Sequence, residues 1–282
     1  MTQFSGGDAV PIERLPADAC DCHMHVFDTS CKPVEGAALT PPTATFEDYQ
    51  NLQERLGCSR NVFVQPSTYG TDNSLMVEAL KKRGSRARGI AVVNEAVTDD
   101  ELDALDGAGV VGVRFNQVQK GATTFSMLDT LAPRLRQRSW HVQFHLAPEQ
   151  LVAESDMLLE LQLPVVLDHF ARIFQSPGLV DWAIATLSRL LRSDHVWVKL
   201  SAPYLASRTG APGFADLSEA ARALVREFPH RLVWGTDWPH ATETEAPDDA
   251  LLLNWFREVV PDVDTRHRIL VENPAMLYRF SR

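Results

Sequence analysis

Eight short apolar runs recur along the chain, each followed by a polar-rich stretch with helical spacing. They fall at 19–25, 61–65, 88–93, 110–115, 141–146, 164–169, 196–200 and 232–237. Between them, helix patterns cover 45–56, 71–82, 98–105, 123–138, 148–161, 178–191, 216–227 and 248–259. Several open on a capping residue or an acidic first turn, as in Thr98-Asp99-Asp100-Glu101. The start near Ser74 lacks a capping box, because Val77 stands where an acid or amide is needed. Strict alternation of strand and helix favours a parallel sheet covered on both faces. Eight such units in about 260 residues fit one closed (β/α)8 TIM barrel of the α/β class better than a doubly wound sheet. No Gly-x-Gly-x-x-Gly follows an early strand, so the dinucleotide fingerprint is missing. Residues 1–16 read as an N-terminal extension and 17–282 as the barrel.

The 282 residues are 45% hydrophobic, enough for a large core, and carry a formal charge of −10. That balance argues against nucleic acid, which needs a basic face. It leaves room for an anionic small molecule, since a few buried arginines reverse the field locally. Cys20, Cys22, Cys31 and Cys58 match neither a zinc ribbon nor a thioredoxin-type pair. A reduced, cytoplasmic protein is the simplest expectation, with Cys20 and Cys22 packed outside the first strand, opposite the histidine face. Residues 1–11 show no secretory pattern, and no apolar run reaches the roughly 20 residues of a membrane span. A homo-oligomer is compatible with all of this.

In a barrel of this kind, polar residues at the C-terminal ends of the strands converge on one pocket. His23 and His25 share one face of the first strand, being two residues apart. Other strand ends offer Ser67, Asn94, Arg114, Asn116, His145, His169, Ser201 and Asp237. One histidine in such a place is usually a satisfied core residue. Four histidines and an aspartate at four strand ends point instead to hydrolysis. Either a zinc-like divalent ion held by such ligands lowers the pKa of a bound water, or the histidines polarise a carbonyl while Asp237 activates water alone. Spacing leaves both schemes open.

The segments Asp21-Cys22-His23-Met24-His25-Val26-Phe27-Asp28, Val113-Arg114-Phe115-Asn116, Leu167-Asp168-His169, Gly235-Thr236-Asp237-Trp238-Pro239-His240 and Asn273-Pro274-Ala275-Met276-Leu277-Tyr278 carry a resemblance. Together they resemble the amidohydrolase superfamily over about residues 17–280, and more narrowly its lactonase branch of pyrone-dicarboxylate and sulfomuconolactone hydrolases. The resemblance implies that His23, His25, His169 and Asp237 form the reaction centre. It implies that Ser67 helps hold substrate and that Arg114 pairs with a substrate carboxylate, a task suited to a two-pronged donor. Strand 5 departs from the pyrone pattern, which has a tyrosine there and no metal. His145 stands at that place, and metal-dependent members use a strand-5 histidine as a ligand. A metal set of His23, His25, His145 and Asp237 is therefore open, as is a substrate contact by His145.

Tyr204 and Arg172 are further candidates for binding acidic groups. Lys199 is expected either to meet an anion or to pair with Asp168, and His240 either to line the mouth or to sit exposed in a turn. The reading that follows is hydrolysis of a small anionic lactone. Lactone isomerisation or metal-dependent decarboxylation on the same scaffold is the second reading, and a non-catalytic acid-binding barrel the third.

Overall fold

The structure, a computed structural model, describes residues 4–119 and 122–281. Residues 1–3 of the expected extension and residue 282 of the expected barrel lie outside the described residues. Strands β1 (Cys20–Met24), β2 (Arg60–Val64), β3 (Ala87–Ala91), β4 (Val110–Asn116), β5 (His141–His145), β6 (Val165–Leu167), β7 (Val196–Leu200) and β8 (Leu232–Trp234) pair in chain order. Every pairing along this series is parallel, so the chain forms the expected single (β/α)8 barrel.

The crossovers carry α1 (Phe46–Leu56), α2 (Ser74–Arg83), α3 (Asp99–Gly107), α4 (Leu128–Gln137), α5 (Pro148–Ala153), α6 (Ser155–Glu160) and α7 (Val180–Leu191). After β7 come the short α8 (Pro203–Ala206) and then α9 (Ala215–Glu227), and after β8 α10 (Asp249–Val259), α11 (Val263–His267) and α12 (Asn273–Leu277). Thr45 and Thr98 each close a capping box, which satisfies orphan N–H groups at those helix starts. Asn73 leaves α2 uncapped because its amide bonds both the N–H and the carbonyl of Val92 across the barrel wall. The stretch 148–161 divides at Glu154, whose ψ of 7° leaves the helical range.

The seam between β8 and β1 closes through side chains as well as backbone. Asp237 N–H donates to the His23 carbonyl and His25 N–H to that of Trp238, each at 2.8 Å. Asp21, fully buried, accepts from Thr236 N at 2.9 Å, Thr236 Oγ1 at 2.6 Å, Tyr49 Oη at 2.8 Å and His23 N at 3.1 Å. Tyr49 belongs to α1, so one carboxylate ties the first helix to both strands of the seam. Gly235 is required here: a Cβ would lie 2.8 Å from His23 N and 2.9 Å from His23 Cβ. Gly235→Ala should cost about 1–3 kcal/mol by overpacking, read as a lowered midpoint in urea unfolding.

Two layers of apolar side chains fill the fold. Outward strand residues such as Phe63, Val113, Phe144 and Val198 pack against Leu52, Leu80, Leu135 and Leu187 of the helices. The lower lumen is a separate cluster of Cys20, Cys22, Val62, Val64, Ile90, Val166, Trp197 and Val233, closed from below by Leu277, Tyr278 and Phe280. Cys20 and Cys22 thus face inward, which corrects the expectation that they pack outside. The cause is a shift of register between Asp21 and Met24. An irregularity of that kind inserts a residue and reverses the alternation. Cys20 and Cys22 below, and His23 and His25 above, then share the lumen, while Asp21 turns out toward Tyr49.

Residues 4–12 run along α10 and the loop before it. Phe4 meets Trp238 edge-on, Gly6 N–H donates to the Pro247 carbonyl, and Ala9 N–H to Asp248. No helix among the described residues is long and apolar enough to cross a membrane.

Candidate active site

Inward-facing positions of β4 to β7 turn polar above the apolar plug. Asp168, just past β6, is fully buried and accepts from Arg114 Nε at 3.1 Å and Gln143 Nε2 at 3.0 Å, with Lys199 Nζ 3.4 Å away. Lys199 donates to Gln143 Oε1 at 2.6 Å. Of the two expectations for Lys199, the pairing with Asp168 is the one found. His23 Nδ1 lies 3.3 Å from both Lys199 Nζ and Asp168 Oδ1, so this charged floor holds the ring from below.

Above that floor three imidazoles converge on one oxygen. Asp237 Oδ1 is 3.5 Å from His23 Nε2, 3.5 Å from His25 Nε2 and 3.8 Å from His169 Nε2. Each ring is anchored through its other nitrogen. His25 Nδ1 lies 2.7 Å from the Val64 carbonyl, an acceptor, so Nδ1 carries a proton and, in the neutral ring, Nε2 offers a lone pair. His169 Nδ1 bonds Ser201 Oγ at 3.0 Å. His145 stands edge-on to His169 with centroids 5.0 Å apart, and neither of its nitrogens has a partner among the described residues.

His169 reaches the group by an unusual backbone path. His169, Phe170, Ala171 and Arg172 have φ of 53°, 54°, 52° and 53°, a left-handed turn without glycine. Each such residue costs of order 1–2 kcal/mol. The turn is held by Ala171 N–H donating to the Asp168 carbonyl and by Phe170, fully buried against Trp255. Strain maintained by packing at a strand end is common where a side chain must be aimed.

Burial dominates the protonation states. It holds His23 well below the usual imidazole range, helped by Lys199, and does the same to His145, helped by His169. It pushes His169 down to about 4 against the pull of Asp237 and Asp168. Burial alone would raise Asp237, but His169, His25 and His23 outweigh it and keep the carboxyl far below its ordinary value. At neutral pH these shifts leave an ionised Asp237 carboxylate beside neutral His23, His145 and His169 rings.

These groups suit a divalent ion by geometry. Zinc bonds of about 2.0–2.1 Å set tetrahedral ligand edges near 3.4 Å, close to the 3.5 Å from Asp237 Oδ1 to His23 and His25. His23 Nε2 is buried with no hydrogen-bond partner among the described residues, as a ligand nitrogen awaiting an ion would be. The described groupings with ligand atoms close enough to share an ion are His23, His25 and Asp237, and His23, Asp168 and His169. Asp168 is already committed to two cations, which favours the first. His145 is in neither of these groupings.

A narrow cavity of about 50 Å³ opens over these rings, lined by His25, Ser67, Arg114, Asn116, His145, His169 and Asp237. Arg114 is its one cation among the described lining residues, and Ser67 accepts from Asn116 Nδ2 at 2.9 Å. Arg172 is half-buried outside the lining. Tyr204 is also outside it: its hydroxyl donates to Asp237 Oδ2 at 2.9 Å. His240 is buried rather than exposed, with Nδ1 2.9 Å from Tyr204 Oη and Nε2 3.1 Å from Asp249 Oδ2. Burial would lower His240, but the Asp249 carboxylate outweighs it and raises it. Leu39, Gln119, Leu205 and Thr242 add to the walls, Leu205 from α8 and the others from loops. Gln143 was findable, since it alternates with His141 and His145 along β5.

Residues 20–280 match the family model described as amidohydrolase. The chain is similar to a 4-sulfomuconolactone hydrolase of Rhizobium radiobacter, 37% identical over 94% of this chain and 91% of that one. It is 36% identical to a 2-pyrone-4,6-dicarboxylate hydrolase of Comamonas testosteroni, over 95% and 92% of the two chains. Among solved structures, a probable 2-pyrone-4,6-dicarboxylic acid hydrolase from Acinetobacter baumannii with citric acid bound superposes with a TM-score of 0.83. That match is 30% identical and covers 93% of this chain and 100% of the other.

Proposed function

We propose that this chain, which belongs to the amidohydrolase family, is a lactonase that opens the ring of a small carboxylated lactone with water activated by Asp237. Substrates of the pyrone-dicarboxylate or muconolactone type fit best, and a cytoplasmic role in aromatic-compound degradation goes with them. The observation that supports this most is the meeting of three buried imidazoles around one oxygen of an ionised carboxylate, beside a pocket with a guanidinium in its wall.

In this reading water lies against Asp237 Oδ1 and the lone pair of His25 Nε2, and gives its proton to Asp237 as it attacks the ring carbonyl. In the metal-free form, with Lys199 and Ser201 taken as donors to the Nδ1 of His23 and His169, both rings turn Nε2–H toward the carbonyl oxygen. Fixed donors aimed at developing negative charge are commonly the largest catalytic contribution. Asp237 then returns the proton to the ring oxygen as the ester bond breaks. Arg114 grips the distal acid group, Ser67 and His145 line the wall, and Arg172, with no acidic partner among the described residues, serves a second acid group. His23, His25 and Asp237 would hold a zinc-like ion, which when bound supplies a Lewis acid and a more acidic water.

Addition of enzyme to a panel of pyrone, muconolactone and sugar lactones should lower the absorbance of at least one of them. Inertness across the panel would reject the reading. Proton exchange at a substrate carbon without hydrolysis, or release of carbon dioxide, would replace it with isomerisation or decarboxylation. Elemental analysis of purified protein, with assays before and after chelation, decides the metal. Arg114→Lys keeps a charge for Asp168 but loses the fork. It should raise KM about 10–100-fold, the equivalent of one charged hydrogen bond, with kcat within a few-fold. An unchanged KM would remove Arg114 from the substrate site.

A further inference from the structure

The two oxygens of Asp237 have different surroundings. Oδ1 faces the three imidazoles, while Oδ2 accepts from Tyr204, and behind Tyr204 lie His240 and then Asp249. We propose that Tyr204, His240 and Asp249 form a positioning chain that locks the Asp237 carboxylate with Oδ1 toward the reacting water. This rests on the reading of Asp237 as the base.

Counting donors fixes the direction of the chain. An ionised carboxylate only accepts, so the single phenolic proton of Tyr204 points at Asp237 Oδ2. The phenol oxygen, 2.9 Å from His240 Nδ1, must then accept, which places a proton on that nitrogen. Nε2 faces a second carboxylate at 3.1 Å and also donates. His240 therefore donates from both sides, and no member of the chain can reverse without losing a bond. His240 and Asp249 are each about 1% exposed, so water does not compete for these groups.

The backbone builds the same arrangement. Asp237 and His240 have φ of 70° and 59°, and His240 N–H donates to the Asp237 carbonyl at 2.9 Å. That turn folds His240 back behind the aspartate three residues earlier. Asp249 comes from the first residue of α10 and Tyr204 from α8, so the chain that ends on Asp237 Oδ2 draws its members from α8, the loop after β8 and α10. Tyr204 and His240 stand outside the pocket lining, which leaves the chain no direct hold on substrate.

A carboxylate without this chain turns about its Cβ–Cγ bond and divides its time between orientations. Hydrogen-bond partners that orient a reacting group from behind typically contribute about 10–100-fold to activity. The test uses the full chain with muconolactone and 2-pyrone-4,6-dicarboxylate as probes. Tyr204→Phe should lower kcat about 10–100-fold and leave KM within two-fold of wild type. Asp249→Asn, which touches neither Asp237 nor the pocket, should move kcat in the same direction, with secondary structure by circular dichroism retained. A raised KM at constant kcat would make Tyr204 a substrate contact, and unchanged constants would make it a bystander; either overturns the proposal. A crystal structure of Tyr204→Phe decides independently of turnover. A rotated Asp237 carboxylate supports the chain, and one left in place rejects it, even if the parent opens neither probe and the lactonase reading fails.

Discussion

Asp237→Asn should lower kcat for lactone opening by roughly 10²–10⁴-fold, the usual contribution of a general base. The amide matches the carboxylate in shape but has no basic oxygen able to hold a proton between water and the leaving group. Its carbonyl oxygen can still accept from Tyr204, so the loop 235–240 has no reason to move. The seam to β1 runs through Asp237 N–H and Asp21, neither of which the change touches. Unfolding midpoints close to wild type are therefore expected, and KM should change little because Arg114 still holds the acid group. Initial rates on whichever lactone the parent opens, with a parallel melt, read both quantities. A variant keeping more than a tenth of parental kcat would show that another group takes the proton.

Much of the scaffold was written in local patterns. Short apolar runs and capped amphipathic helices depend on neighbours a few residues away, so the strand order and the gathering of His23, His25, His169 and Asp237 at one mouth could be read directly. Features set by long-range packing could not. The register shift in β1 moves Cys20 and Cys22 inward, yet no glycine or proline marks it; it is imposed by pairing with β2. The left-handed turn at His169–Arg172 has no glycine or asparagine to announce it, because burial of Phe170 against Trp255 supplies what residue preference does not. Tyr204 read as a loop residue open to substrate, and only the positions of α8 and α10 reveal that its hydroxyl is spent on Asp237. His240 was ambiguous for the same reason, since a turn histidine is buried or exposed according to what the following helix places above it.

Asp168→Asn should be the most destabilising single change at the site, at about 3–5 kcal/mol, the cost of breaking a buried ion pair by removing one partner. The aspartate carries the negative charge between Lys199, Arg114 and His23, all buried. An asparagine there leaves two cations in the lumen with only an amide dipole between them. Burial would raise the Asp168 carboxyl, but Lys199, His23 and Arg114 outweigh it and hold it well below the ordinary range. A carboxyl depressed in the fold stabilises it above the unfolded value, and that contribution is lost as pH falls toward the depressed one. Urea unfolding of wild type should therefore weaken on acidification more than that of Asp168→Asn. Adding Lys199→Met to Asp168→Asn removes one of the orphaned cations, so the double variant should recover part of the loss, giving a coupling energy well above 1 kcal/mol. Additive effects of the two changes would mean that Lys199 finds its stabilisation in Gln143 alone, and the charged floor beneath His23 would have to be explained without Asp168.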